Sequence, residues 1–309
     1  MSREHILIVA FALSVPLTAE ANPMFSIDRA SPAILGGVTP DDVLQPGPAV
    51  VTEGTSLGLN DDFFNGSYDD LDALSFGKDL ILVSQLDFSV DRVAVGLDDT
   101  AVKAQALPGA EEAAGDIFRA LFGDNEVKRD EETLGLTPGF FGDDLDALSI
   151  DGAADPYTYF SVDFHSALNG FGQAGIAADI LVSDGNGLYS TYATRLMMGL
   201  QAGDDLDALA LLEDGELDEV ADEGEDKALF SLSSFSPTVI GGGISPGDVL
   251  ITDFKGSFTV WKNAAAIGLR DDDELDALDT IPEPATLLLF VAGIVFCRVG
   301  RSRERKSVP

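Results

Sequence analysis

Short apolar stretches, closed again and again by Gly, Asp or Asn, set the rhythm of this chain. Tyr159-Phe160-Ser161-Val162-Asp163-Phe164 mixes aromatic and β-branched residues in partial alternation, and Asp248-Val-Leu-Ile-Thr and Ser257-Phe-Thr-Val-Trp are β-rich runs bounded by glycine. Both patterns predict short strands. Asp184-Gly185-Asn186-Gly187 and Lys255-Gly256 supply turn chemistry between paired strands. Only Ala104 to Ala120 and Leu206 to Val220 read as helical.

These elements repeat. Asp-Asp-Leu-Asp-Ala-Leu occurs at Asp69–Leu74, Asp143–Leu148 and Asp204–Leu209, and returns as Asp-Glu-Leu-Asp-Ala-Leu at Asp273–Leu278. Three other landmarks keep step with it. A Phe-Ser-hydrophobic element starts at Phe25, Phe88, Phe160 and Phe230; an Asp-aliphatic pair at Asp42, Asp116, Asp179 and Asp248; a Gly-Leu step at Gly58, Gly135, Gly199 and Gly268. Each landmark reads as a short strand or its start. Recurrence of one order at intervals of roughly 60–75 residues means one supersecondary unit used four times.

About four strands per unit give about sixteen in all, which predicts an all-β four-bladed propeller, with stacked β-sandwiches as the alternative. The phase of the chain predicts closure. If Leu-Asp-Ala-Leu forms the first strand of a blade, the first blade lacks one, and Leu275–Leu278 can supply it. Asp72-Ala73, Asp146-Ala147, Asp207-Ala208 and Asp276-Ala277 also resemble the motif on the innermost strand of hemopexin-type four-bladed propellers.

Charge changes the functional picture. The chain has 54 acidic and 18 basic residues, a net charge of −36. Because Arg3 and the run from Arg298 to Lys306 lie at the ends, the middle is more acidic still. Such a body repels nucleic acid and attracts divalent cations. The single cysteine, Cys297, leaves the body without disulfides or thiol chemistry.

The ends carry an address. Arg3 and His5 precede the apolar run Ile6–Leu13, and Ala19-Glu20-Ala21 follows. That is the pattern of a signal peptide (1–21) cut by signal peptidase after Ala21. At the other end Pro282-Glu283-Pro284 opens the apolar run Ala285–Cys297, and Arg298, Arg301, Arg303, Arg305 and Lys306 follow. A helix over about 285–299 is a short span for a bilayer core of about 30 Å, extended by snorkelling arginines. Its basic tail would face the cytoplasm.

Ile-Pro-Glu-Pro, a short apolar helix and an arginine cluster, in that order over 281–309, resemble the PEP-CTERM sorting signal of Gram-negative bacteria. The resemblance implies an exosortase as partner, with Pro282, Glu283 and Pro284 as its processing motif. It implies a precursor anchored in the inner membrane by the C-terminal helix before processing, then release to the cell surface or matrix, and an association with exopolysaccharide and biofilm. The repeat domain is then 22–280, its units ending near 74, 148, 209 and 278.

Reaction chemistry is thin in this sequence. The body has one histidine, His165, no Gly-x-Ser-x-Gly elbow and no His-Glu-x-x-His motif. Gly170-Phe-Gly-Gln-Ala-Gly175 matches a dinucleotide fingerprint but precedes an extended run instead of a helix, so it reads as a loop. Carboxylate pairs keep a secreted carbohydrate-active hydrolase open as the alternative. Catalytic pairs are usually unique, however, and these acids come in equivalent copies. Repeated Asp-Asp-x-Asp suits calcium, a cation that takes several oxygen ligands. Asp72, Asp146, Asp207 and Asp276 hold equivalent places, and a ring would bring them together. The reading is therefore a non-enzymatic structural or binding module of the extracellular layer, with calcium as its candidate ion.

Overall fold

The computed structural model describes residues 22–281, apart from 63–66, 78–85, 108–112, 151–156, 171–174 and 213–218. The signal-peptide residues Ala19 and Ala21, the processing motif Pro282-Glu283-Pro284 and the apolar run after it lie outside the described residues, as does part of the Gly170–Gly175 loop. Among the described residues no helix is long and apolar enough to cross a membrane.

The strands run in chain order as β1 (Asn22–Ile27), β2 (Val43–Gln45), β3 (Ala49–Thr52), β4 (Asp61–Asp62), β5 (Ser67–Tyr68), β6 (Ala73–Ser75), β7 (Asp87–Ser89), β8 (Ile117–Ala120) and β9 (Asn125–Arg129). They continue as β10 (Leu145–Ile150), β11 (Thr158–Val162), β12 (Ile180–Ser183), β13 (Ser190–Ala193), β14 (Leu206–Leu212), β15 (Lys227–Leu232), β16 (Val249–Thr252), β17 (Phe258–Lys262) and β18 (Leu275–Ile281). Four four-stranded antiparallel sheets result, ordered β18-β1-β2-β3, β6-β7-β8-β9, β10-β11-β12-β13 and β14-β15-β16-β17, with a small β4-β5 hairpin between the first and second. They form a ring, the four-bladed propeller, and we number the blades 1 to 4 in that order. The last strand of the chain is the innermost strand of blade 1, as the phase of the repeat predicts.

Apolar burial follows the ring. The core divides into four clusters, each between two neighbouring blades. Phe88 and Phe118 of blade 2 pack with Val43, Leu57 and Leu59 of blade 1. Leu145 and Phe160 of blade 3 pack with Ile117 and Leu134 of blade 2. Tyr159, Tyr192 and Met198 of blade 3 meet Phe230 and Leu250 of blade 4, and Phe25, Leu44 and Leu278 of blade 1 meet Leu229 and Val249 of blade 4. The inner strands of each sheet are thus buried on both faces and read as near-continuous apolar runs, while the outermost strands β3, β9, β13 and β17 are partly exposed. Phe25, Phe88, Phe160 and Phe230, one per Phe-Ser landmark, have no exposed surface.

The serine of the same landmark stitches the ring. Ser26 Oγ donates to the Leu71 carbonyl at 2.7 Å, Ser89 to Leu145 at 3.0 Å, Ser161 to Leu206 at 2.8 Å and Ser231 to Leu275 at 3.1 Å. Every bond runs from one blade's second strand to the entry of the next blade's innermost strand. The fourth lands on β18, so the closing junction is built like the other three.

Three local readings need correction. Leu206–Leu212 is β14, a strand paired with β15, not a helix. Its Leu and Ala residues are good helix formers, but burial between two sheets overrides that preference. Of the predicted helix Ala104–Ala120, α1 (Ala101–Ala106) takes in Ala104–Ala106, and Ile117–Ala120 is β8. The Gly-Leu step is likewise no strand. Gly135, Gly199 and Gly268 are the left-handed C-caps of one-turn helices α2 (Glu131–Leu134), α3 (Arg195–Met198) and α4 (Ala264–Ile267), and Gly58 caps a 3-10 turn over Gly54–Leu57. The leucine after each cap is buried. A hairpin tip from the following blade sits on each of these turns: Gly123 N donates to Ser56 O, Gly187 N to Thr133 O, Gly256 N to Met197 O and Gly47 N to Ile267 O. At Gly199 a Cβ would lie 2.7 Å from Ser257 Cα, so glycine is required by contact as well as by its φ of 81°.

Candidate functional site

The innermost strands bring the acidic motif to one end of the central channel, where each of its positions plays a separate part. The first Asp is structural. Asp143 Oδ2 accepts from Thr137 N at 2.7 Å and Oδ1 from Leu168 N at 2.6 Å; Asp273 accepts from Arg270 N at 2.8 Å and Ala33 N at 2.7 Å. Asp69 holds Asn60, Val95 and Gly96, and Asp204 holds Gln201 and Thr238, in the same way. Each of these carboxylates ties the incoming crossover to the loop after the blade's second strand, so its lone pairs are spent on backbone N–H groups. The two leucines and the alanine of the motif enter the core in every copy.

The remaining acids line the channel mouth. The cavity there has a volume of about 520 Å³ and is lined by eleven carboxylates in three tiers. The third acid of each motif contributes Asp72, Asp146, Asp207 and Asp276; the second contributes Asp70, Asp144, Asp205 and Glu274. Asp28, Asp91 and Asp163 come from the end of the Phe-Ser landmark, where blade 4 has Ser233. All four acids expected from the repeat therefore share one cavity. In blades 3 and 4 the register slips between Leu145 and Ala147 and between Leu206 and Ala208. Such a bulge re-aims the residue between, here Asp146 and Asp207, off the ladder.

Among the described residues the cavity's counter-ions are few and lie to one side. Arg29 Nε is 2.9 Å from Asp70 Oδ2, and its Nη2 reaches Asp91. Arg92 Nε is 2.9 Å from Asp144 Oδ2, with Nη2 3.9 Å from Asp163. Asp70 Oδ1, Asp144 Oδ1, Asp146 Oδ2, Asp205 Oδ1, Asp207 Oδ2 and Asp276 Oδ2 are shut off from solvent and have no hydrogen-bond partner. Burial pushes the Asp70 carboxyl up to about 7, with repulsion from Asp91 adding to it and Arg29 opposing. Asp144 is pushed to about 7 by burial, with Arg92 opposing. Burial, and then repulsion from neighbouring channel acids, lift Asp72, Asp146, Asp205, Asp207 and Asp276 well above the usual carboxylate range.

Orphaned, crowded carboxylate oxygens of this kind can take protons or a hard cation. Ligand oxygens of Asp28, Asp70 and Asp276 already lie within 4.8 Å of one another. A second acidic trio, Asp116, Asp130 and Glu131, serves the start of α2, where Asp116 Oδ1 accepts from Glu131 N and Asp130 Oδ1 from Glu132 N. A cavity of about 430 Å³ between blades 1 and 2 is lined by Val51, Leu57, Phe76, Leu86 and Phe122 and offers an apolar surface with one acid, Glu53. His165 stands at the channel rim with its side chain 76% exposed, its Nδ1 3.7 Å from Asp163 Oδ1.

Sequence reasoning singles out only one tier. The other two recur with the same period, so the repeat itself carries the signal; the positions of Arg29 and Arg92 directly after Asp28 and Asp91 carry it for the cations. Comparison with known protein families, with characterised proteins and with solved structures finds no match.

Proposed function

We propose that this protein is an exported surface or matrix component, sorted by an exosortase, whose propeller is a non-enzymatic binding module that holds calcium in its channel mouth. The observation that carries the calcium reading is the set of six buried, unpartnered carboxylate oxygens converging on one cavity. Leaving so many acceptors unmet costs free energy at each atom, and a divalent cation would satisfy several of them together. The ligand set is all oxygen, which suits calcium or magnesium over softer metals. A cavity of about 520 Å³ leaves room for the flexible, partly hydrated shell that calcium accepts. Equivalent acids from every blade favour a binding role over a hydrolase, which needs two carboxyls with different roles. The signal-like N-terminus and the C-terminal Pro-Glu-Pro, apolar and arginine order support export and placement in the exopolysaccharide layer.

Calcium titrated calorimetrically into the purified protein near pH 7 tests this reading. Because carboxyls raised towards neutrality must ionise to become ligands, binding should release protons. The measured heat should then differ between buffers of different ionisation enthalpy. A flat titration, with neither calcium heat nor proton release, would remove the proposal.

A further inference from the structure

The four blades present the same acids but not the same cations. After the channel Asp or Ser of each blade come, in turn, Arg29, Arg92, Phe164 and Ser234. Arg29 of blade 1 neutralises Asp70 and Asp91 of blade 2, and Arg92 of blade 2 does the same for Asp144 and Asp163 of blade 3. One and two steps further round, the corresponding acids are Asp205, then Glu274 with Asp28. Phe164 and Ser234 stand where the guanidiniums would be, and among the described residues these carboxylates are met by backbone groups. Ser234 N donates to Glu274 Oε1, and Ala30 N donates to Asp28 Oδ1 at 2.6 Å.

In that same arc Asp205 Oδ1, Asp207 Oδ2 and Asp276 Oδ2 are unpartnered, on residues 7%, 7% and 9% exposed. The tight trio of Asp28, Asp276 and blade 2's Asp70 closes its far end, at the junction of blades 1 and 2. Asp70 there keeps Oδ1 free while Arg29 occupies Oδ2.

We infer that the divalent cation is held off the propeller axis, in the arc from blade 4 round to the junction of blades 1 and 2, which among the described residues Arg29 alone borders, by Asp207, Glu274, Asp276 and Asp28 with the free oxygen of Asp70. Arg29 and Arg92 are fixed cations that fill the equivalent places elsewhere in the ring. The inference rests on the cation-binding reading above and sharpens it: a symmetric ring of four aspartates becomes a one-sided site. It follows that a third arginine should compete with the metal. Ser234→Arg keeps the backbone N–H on Glu274 and brings a guanidinium to Glu274 and Asp28.

Calcium titrations of the full protein and its variants test this, with thermal melts in chelator alongside. Asp207→Asn and Asp276→Asn should each weaken calcium binding about tenfold or more, and clearly more than Asp72→Asn or Asp146→Asn does. Ser234→Arg should also weaken calcium about tenfold or more, yet melt above the parent in chelator, because it pairs charges the parent leaves bare. That second readout separates competition from misfolding. Equal losses from all four asparagine variants would place the ion on the axis, overturning the arc while leaving cation binding intact. Parent-like calcium affinity in Ser234→Arg would overturn it as well. A parent protein that binds no calcium would take down the arc together with the reading beneath it.

Discussion

Moving the protein from pH 5 to pH 8 without divalent cations should destabilise it, against the habit of most acidic proteins near neutrality. Asp70 and Asp144, both buried, titrate at about 7 in the fold against 3.8 when free. Between those values the folded state binds more protons than the unfolded chain, so stability falls as pH rises. The contribution is whole below pH 3.8 and gone once pH passes about 7. A displacement of about three pH units amounts to about 4 kcal/mol per site, of which about 3 kcal/mol is lost between pH 5 and pH 8. Asp91, raised to about 6 by burial with Arg29 opposing, adds in the same direction. Among the described carboxyls with a resolved shift, only the surface Asp253 is lowered, by its Lys255 partner. Urea unfolding in chelator at pH 5, 6.5 and 8, followed by the fluorescence of the only tryptophan, Trp261, reads the effect. Self-repulsion at a net charge of −36 would produce a similar trend, so Asp70→Asn with Asp144→Asn is the control. The double variant should lose the part of the slope that these two carboxyls contribute, leaving the part set by the other raised channel acids. A parent whose stability is constant or rises between pH 5 and pH 8 would refute the reasoning.

Ser231→Ala should cost about 1–3 kcal/mol by orphaning the Leu275 carbonyl, and Ser89→Ala about as much at Leu145; chemical denaturation that finds only the second destabilising would mean the ring is not closed through β18. Gly199→Ala should cost about 1–2 kcal/mol for its left-handed backbone and more for the contact with Ser257, whereas Gly47→Ala, with nothing within 4 Å of its Cβ, bears the backbone cost alone; equal melting shifts would argue against the tight blade junction. Replacing Pro282-Glu283-Pro284 by three alanines should leave an unprocessed, membrane-retained form, seen as a mass difference between cell and medium fractions; mature protein of unchanged mass outside the cells would contradict the sorting proposal.

Much of this architecture is legible in the repeat. The order of the four landmarks predicts four blades, and the incomplete first unit predicts that β18 must complete it. What escaped was decided by contacts distant in sequence. Leu206–Leu212 carries residues that suit a helix, and only its position between β15 and neighbouring innermost strands makes it extended. The caps at Gly135, Gly199 and Gly268 close helices of four residues, too short to show a helical period. The first and third aspartates of each motif are chemically identical. Asp143 is spent on backbone N–H groups while Asp146 keeps a bare oxygen, a division set by the bulge that turns Asp146 off the ladder. Arg29 and Arg92 are visible in phase with the repeat, but their pairing with the next blade's acids emerges only when the ring closes.

Thermal melts of the purified protein near pH 8 in calcium, in magnesium and in chelator, at equal ionic strength, test the central claim most directly. With calcium at ten times its dissociation constant, the site adds about 1.4 kcal/mol of stability. For a domain of this size that is a rise of roughly 3–6 °C over chelator, with magnesium well below it because the smaller ion demands a tighter, octahedral cage. Equal shifts from calcium and magnesium would contradict calcium binding and leave the channel acids as a screened, solvated ring.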